Sequence, residues 1–180
     1  MGFVFSKIFS SIRSKDVRLL ILGLDNAGKT TVLYQMQLGE VKSTVPTVGF
    51  NVEYLKYENL NFQVWDIGGQ SEIRPYWRCY YENTNAIVFA IDSSDKDRIE
   101  VVRNELYLLL EEEELKRVPL AILANKQDIK GCLSDIEITE QLQLQNIKDR
   151  QWQIFKTCAK EGTGLDDAFK WITNLIRGDK

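Results

Sequence analysis

The chain has 180 residues, 44% of them hydrophobic and 27% charged, with a net charge of −3; this fits one folded domain and excludes disorder. The acidic balance excludes a basic nucleic-acid footprint, so no nucleic acid is expected as a partner. The lack of any histidine excludes histidine triads, histidine metal ligands and histidine pH switches together.

Residues 17–23, VRLLILG, read as a short buried strand. Residues 29–38 follow with helical spacing, Val32, Leu33, Met36 and Gln37 lying a turn apart, and Gly39 stops the helix. Residues 50–57 and 61–66 are strand-like runs around the turn residues 58–60, a hairpin pattern. Residues 86–91 and 120–124 are two further buried strands, separated by a long helix over 97–115 that Pro119 limits. Ser134 with Glu137 three residues on is a capping box for a helix to about Gln143. A last strand is expected over 151–157 and a last helix over 165–176. The longest uncharged apolar runs, 19–24 and 86–91, are far below the roughly 20 residues that span a bilayer, and Lys7 interrupts any signal-peptide core. Cys79, Cys132 and Cys158 are few, odd in number and far apart, as in a reducing cytosol. Strands that alternate with helices, apart from one hairpin, give an α/β fold with a mostly parallel sheet covered on both faces.

The sharpest local signal is Gly23-Leu24-Asp25-Asn26-Ala27-Gly28-Lys29-Thr30, a G-x-x-x-x-G-K-[ST] phosphate loop between strand and helix. Backbone N–H groups of such a loop point at phosphate oxygens. Gly28 lets the backbone approach, Lys29 would meet the β and γ phosphates, and the Thr30 hydroxyl would ligate Mg2+. Asn125-Lys126-Gln127-Asp128 follows a strand at the end where open α/β sheets bind ligands. A carboxylate at Asp128 can accept both donors of a guanine edge, which adenine lacks; the alternative is a polar strand-to-helix loop. Cys158-Ala159-Lys160 reads either as a second base-contacting loop or as a simple turn with Gly162 and Gly164. In Trp65-Asp66-Ile67-Gly68-Gly69-Gln70, Asp66 is placed to hold Mg2+ through water. Gly68 and Gly69 offer backbone N–H groups to a γ-phosphate, and Gln70 could orient an attacking water. Thr47 can close over the same phosphate or be an ordinary loop threonine. A nucleotide kinase is the main rival, but no insertion is available for a second substrate lid.

GLDNAGKT, PTVGFNVE, WDIGGQ, IRPYWRCYY, NKQD and TCAKEGTGL resemble, in order and spacing, the ADP-ribosylation factor family of small GTPases over essentially the whole chain. The segments QVWDIGGQSEIRPYWRCYY and KDRQWQIFKT are most similar to the subgroup called Arf-like protein one, which works at the trans-Golgi. The resemblance implies a small-GTPase G-domain with a six-stranded, mostly parallel sheet and one antiparallel edge strand. It also implies a switch that hydrolyses GTP to GDP with Mg2+. Asp25, Asn26, Ala27, Gly28, Lys29, Thr30, Thr31, Thr47 and Gly69 would bind phosphates, and Gln70 would be catalytic. Thr30, Thr47 and, through water, Asp66 would serve the metal. Asn125, Lys126, Asp128, Cys158, Ala159 and Lys160 would enclose the guanine. Asn26 departs from the small residue of the family pattern. No arginine finger in cis is evident; Arg74 and Arg78 read as solvated or partner-facing. An activating protein would supply the missing charge and an exchange factor would eject GDP. The resemblance places Phe50, Trp65 and Tyr80 on an exposed effector surface, where periodicity alone would assign core, and makes residues 50–66 a hairpin that slides in register and pushes the N-terminal helix out when GTP binds.

Gly2, with Ser6, matches the N-myristoylation pattern. Val4, Phe5, Ile8, Phe9 and Ile12 share one helical face and Lys7, Ser10, Ser11 and Arg13 the other. Residues 1–18 carry a net +3 on a body of −6, so this terminus reads as a membrane anchor or as a core-docking helix. The expected division is a myristoylated amphipathic helix over 1–16 and the G-domain over 17–180. The expected partners are guanine nucleotide, the Golgi membrane and golgin-type effectors, with the protein shared between cytosol and trans-Golgi membrane.

Overall fold

The computed structural model describes residues 15–39 and 47–178. Gly2 and the amphipathic face from Val4 to Arg13 lie outside the described residues, as does Pro46. The strands are β1 (Lys15–Leu22), β2 (Phe50–Tyr57), β3 (Leu60–Ile67), β4 (Ala86–Asp92), β5 (Leu120–Asn125) and β6 (Trp152–Lys156). The helices are α1 (Lys29–Leu38), α2 (Ile99–Glu111), α3 (Asp135–Gln141) and α4 (Leu165–Arg177). β1 opens at Lys15 and so takes residues 15 and 16 out of the segment expected as the amphipathic helix.

The six strands lie in the order β2-β3-β1-β4-β5-β6. Only the β2–β3 pair is antiparallel, with Phe50 opposite Ile67 and Tyr57 opposite Leu60; β1, β4, β5 and β6 run parallel to their neighbours and to β3. Alternation along the strands separates two cores. Leu20, Leu22, Ile87, Phe89, Leu120 and Ile122 face α2 and α3 in one cluster. Leu19, Ile21, Val64, Val88, Leu123 and Phe155 pack with Val32 and Leu33 of α1 and Phe169 and Ile172 of α4 in the other. β4 and β5 are almost wholly buried, as strands covered on both faces require.

Three local features differ from the sequence reading. The helix expected over 97–115 is α2 flanked by two 3₁₀ turns, Lys96–Arg98 and Glu113–Leu115. Glu112 is extended there (φ −69°, ψ 129°). Four successive glutamates, Glu111 to Glu114, would crowd the negative end of a longer helix, and the buried Arg150 guanidinium takes the carbonyls of Leu110 and Leu115 instead. Second, Arg74–Tyr80 forms a 3₁₀ segment after β3, with Trp77 buried in the core and Tyr76 exposed. Third, α3 is capped at Ser134 as expected, with both bonds of the capping box to Glu137 formed, but it ends at Gln141.

Candidate functional site

The phosphate loop leaves β1 and turns into α1 at Gly28, whose φ of 88° favours a residue without Cβ. Asn26 sits at φ 62°, a left-handed conformation that asparagine adopts more readily than most side chains. That gives this departure from the family pattern a backbone rationale. Lys29 begins α1 and is 6% exposed; its ammonium donates to the Leu24 carbonyl at 2.8 Å. Burial pushes it down to about 8, against the pull of Asp66 and Asp25.

Three oxygens converge behind this loop. The Thr30 hydroxyl donates to Asp66 Oδ2 at 2.6 Å and lies 2.9 Å from the Thr47 hydroxyl, which is 3.2 Å from the same carboxylate oxygen. Asp66 is fully buried, and its Oδ1 has no hydrogen-bond partner. Burial raises the Asp66 carboxyl, and the Thr30 hydrogen bond, the Lys29 charge and Thr47 only partly oppose this. Two hydroxyls and a buried carboxylate with an unsatisfied oxygen form an all-oxygen donor set, which fits a hard divalent cation such as Mg2+.

The carboxyl end of β3 supplies the next wall. Gly68 donates its N–H to the Gly49 carbonyl at 2.8 Å, so that group is committed elsewhere. Gly69 is the glycine whose backbone lies against the loop, and a Cβ there would land on the backbone of Gly23, Leu24 and Asp25. Gln70 donates its amide to the Thr47 carbonyl at 3.1 Å, which leaves Oε1 buried and unpartnered. Asp25, Asn26, Gly28, Lys29, Thr30, Thr31, Thr47, Gly69, Gln70 and Lys126 all line one cavity of about 440 Å³. Ala27 lies behind it, 1% exposed, and Asp66 lies beneath the two threonines.

A second cavity of about 240 Å³ shares Gly28, Thr31 and Lys126 with the first and is completed by Asn125, Asp128, Ile129, Cys158, Ala159 and Lys160. Asn125 braces its walls. Its Nδ2 donates to the Ala27 carbonyl at 2.8 Å, and its Oδ1 accepts from the Ala159 N–H at 2.9 Å and the Thr157 hydroxyl at 3.2 Å. Lys126 has φ 65° and donates to Asp92 Oδ2 at 2.6 Å. Asp128 is exposed at the mouth. Burial is the main reason the Cys158 thiol is raised, and the Asp128 carboxylate adds to it. The two segments read separately from the sequence therefore enclose one pocket.

Sequence reasoning missed the ionic frame around Asp25. Arg98 donates to Asp25 Oδ1 at 2.9 Å and to Asp95 at 2.6 Å. Arg74, expected to be solvated or partner-facing, is 12% exposed and paired with Glu105 at 3.0 Å. Of these two, only Arg78 is open to solvent, at 71%. Phe50, Trp65 and Tyr80 do meet: their ring centroids are 5.1 to 5.7 Å apart. Phe50 is 50% exposed, while Trp65 and Tyr80 are half-buried against the core.

The sequence matches the ADP-ribosylation factor family over residues 3–176. ADP-ribosylation factor 1 of Brassica rapa subsp. pekinensis is 56% identical over 178 residues, 98% of either chain. ADP-ribosylation factor-like protein 1 of Drosophila melanogaster is 54% identical over 180 residues, all of both chains. The solved structure of the Arl6 BBS3 small GTPase from Trypanosoma brucei, with bound nucleotide analogue GppNp, superimposes with a TM-score of 0.86 at 33% identity and covers 92% of this chain and 100% of that one. A phosphate loop, a second cavity adjoining it and full-length matches of this strength have one reading: the chain belongs to the ADP-ribosylation factor family of small GTPases, which bind GTP and hydrolyse it.

Proposed function

We propose that this chain is a lipid-anchored GTP/GDP switch that recruits golgin-type tethers to trans-Golgi membranes. The observation that carries the reading is the Phe50–Trp65–Tyr80 cluster, with rings 5.1 to 5.7 Å apart. It joins the first residue of β2, the third residue from the end of β3 and the last residue of the Arg74–Tyr80 segment. These are the pieces of chain that flank Thr47 and Gln70, so a partner docking on the rings is sensitive to what fills the phosphate cavity. A small set of aromatic anchors commonly dominates partner affinity. The shared likeness to proteins named ADP-ribosylation factor-like protein 1 in a fly, a nematode and a yeast supports the choice of subgroup.

In the reaction, Lys29 and the backbone N–H groups of residues 25–31 would hold the phosphates, with Gly69 closing against the γ-phosphate. Gln70 would accept a hydrogen bond from the attacking water at its unpartnered Oε1 and so orient it, while the Thr47 carbonyl fixes its amide. Thr30, Thr47 and, through water, Asp66 would hold Mg2+, which neutralises charge developing on the phosphate oxygens. Asp128 would read guanine, with Cys158, Ala159 and Lys160 as the far wall. Arg74 and Arg98 are engaged with carboxylates, so neither of these two guanidiniums is free to reach the transition state. An activating protein would supply one, and an exchange factor would release GDP.

Gly2 acylation and the apolar face of Val4, Phe5, Ile8, Phe9 and Ile12 would together anchor the active form, since one myristoyl chain binds membranes only marginally. No helix among the described residues is long and apolar enough to cross a membrane. The test is affinity capture from cell extract with protein loaded with GTP analogue or GDP, alongside localisation of Gly2→Ala. Capture of a coiled-coil Golgi tether by the analogue form alone, with a cytosolic Gly2→Ala protein, is expected. Equal capture in both states, or a Gly2→Ala protein that stays on the Golgi, would refute the proposal.

A further inference from the structure

Arg74 ties two pieces of the site, Gly69 and Asp25, to α2. Its Nε donates to the Gly69 carbonyl at 2.8 Å, its Nη1 to Glu105 of α2 at 3.0 Å, and its Nη2 lies 3.7 Å from Asp25 of the phosphate loop. Trp77, three residues on and therefore on the same side of a 3₁₀ turn, donates its indole N–H to the Gly68 carbonyl at 2.9 Å. Both glycine carbonyls that follow β3 are thus held by side chains of the segment after them. Gly68 and Gly69 have no side chains of their own to fix their position.

The contact matters because of where Gly69 sits. A Cβ there would strike the backbone of Gly23, Leu24 and Asp25, so the Gly69 peptide is pressed directly onto the phosphate loop. Asp25, a carboxylate lining the phosphate cavity, repels an anion unless its charge is offset. Arg98 and Arg74 offset it from one side, at 2.9 and 3.7 Å. Glu105 in turn fixes Arg74 to α2, whose buried face is part of the rigid core.

We infer that Arg74 is a positioning residue for the GTP-bound state: through Gly69 it holds the Gln70 segment against the phosphate loop, and through Glu105 it anchors that arrangement to α2. It acts through the Gly69 carbonyl and the Asp25 carboxylate. A guanidinium suits this task because its rigid fork can serve a carbonyl and a carboxylate at once, which an ammonium on a flexible stem does less well. The state without a γ-phosphate has less need of Gly69 at this place, so the contact favours GTP over GDP rather than nucleotide in general. The inference rests on the reading of Gln70 and Gly69 as the γ-phosphate side of the site.

The test is nucleotide release from the full chain with magnesium, using fluorescent GDP and a fluorescent non-hydrolysable GTP analogue. Wild type, Arg74→Ala, Arg74→Lys, Glu105→Ala and the double alanine variant are compared. A hydrogen bond to a charged group of this kind corresponds to about a ten-fold change in release. Arg74→Ala is expected to speed analogue release by about that factor, with GDP release within about two-fold of wild type. Arg74→Lys recovers part of the preference for the analogue. Glu105→Ala gives the same selective effect, and the double variant loses no more than Arg74→Ala alone, because the pair acts as one unit. A merely structural role speeds both nucleotides equally, and that result overturns the inference, as does no change in either. Should Arg74→Ala fold poorly, Glu105→Ala carries the same comparison. Hydrolysis by Gln70→Leu is measured beside them. Normal turnover there sinks the reading of Gln70, whereas the analogue-to-GDP ratio judges Arg74 separately.

Discussion

Thr30 and Thr47 are seventeen positions apart, yet their hydroxyls lie 2.9 Å from one another and both reach the same oxygen of Asp66. Thr30 lies in the first turn of α1 behind the phosphate loop, whereas Thr47 belongs to the loop before β2. Their meeting places Thr47 over the phosphate cavity, with the Gln70 amide pinned to the Thr47 carbonyl. One buried carboxylate collects both elements, and its second oxygen is left for a further ligand.

Removing the metal should therefore loosen the nucleotide. Chelation with EDTA is expected to speed GDP release from the wild type by about 10-fold or more, the size of losing at least one charge-assisted contact. Thr30→Ala should release GDP quickly even with magnesium present and respond little to EDTA. Fluorescent-GDP release with and without chelator measures both. A wild-type protein indifferent to EDTA would mean that Asp66 and the threonines hold no metal.

Base choice rests on Asp128, which is exposed at the mouth of the 240 Å³ cavity opposite Cys158 and Ala159. Asp128→Asn exchanges an acceptor for a donor. GDP affinity should fall by about 100-fold or more, since a site built for particular donors rejects a mismatched edge strongly. Xanthosine diphosphate, which presents an acceptor where guanine presents its amino donor, should bind better than to wild type. Competition between the two diphosphates provides the measurement, and unchanged GDP affinity would remove Asp128 from the base site.

Most of the frame was legible because it is local. The phosphate loop, the hairpin and the buried strands each announce themselves within ten residues, through glycine spacing or runs of branched apolar residues, and the capping box at Ser134 was visible for the same reason. What stayed hidden depends on reach. Arg98 finds Asp25 across 73 positions and Arg74 finds Glu105 across 31, and no periodicity marks such pairs. The end of α2 was misjudged because the apolar spacing runs on to Leu115, while Arg150, folded in from the loop before β6, takes the carbonyls that a longer helix would have used. The Arg74–Tyr80 turn escaped notice because a 3₁₀ segment of seven residues leaves no 3.6-residue pattern.

A pH effect should arise at Asp92, the last residue of β4. Burial raises its carboxyl, but hydrogen bonds from Lys126 and Ser94 outweigh this and hold it below the usual carboxylate range. A carboxyl depressed in the folded state stabilises the fold above its unfolded pKa, near 4, and that contribution fades as pH falls through the lower folded value. Asp92→Asn should thus be less stable than wild type by about 1–3 kcal/mol at neutral pH. The difference should stay flat down to the ordinary carboxylate range and close below it. Urea unfolding of both proteins across a pH series reads this directly. A gap that widens in acid would contradict the ion pair with Lys126.

The aromatic cluster offers the sharpest separation of an interaction role from packing. Tyr80 lies 5.1 Å from Phe50 and 5.7 Å from Trp65, ring to ring. Its backbone is held apart from its ring, because the Arg18 guanidinium donates to the Tyr80 carbonyl at 2.9 Å and rests 4.0 Å above the Trp65 ring. Tyr80→Ala therefore removes the ring while leaving the anchor of the 3₁₀ segment in place. If the cluster is a docking surface, truncating one anchor costs about 2 kcal/mol of binding, roughly a 30-fold loss of tether affinity. Melting temperature and nucleotide release should change little, since the ring is only half-buried. Trp77→Ala provides the contrast: Trp77 is 2% exposed and bonded to the Gly68 carbonyl, so it should lose about 3–5 kcal/mol of stability and disturb nucleotide retention as well. Measuring the three quantities on both variants decides the matter. A Tyr80→Ala protein that melts and leaks nucleotide like Trp77→Ala would make the cluster part of the core.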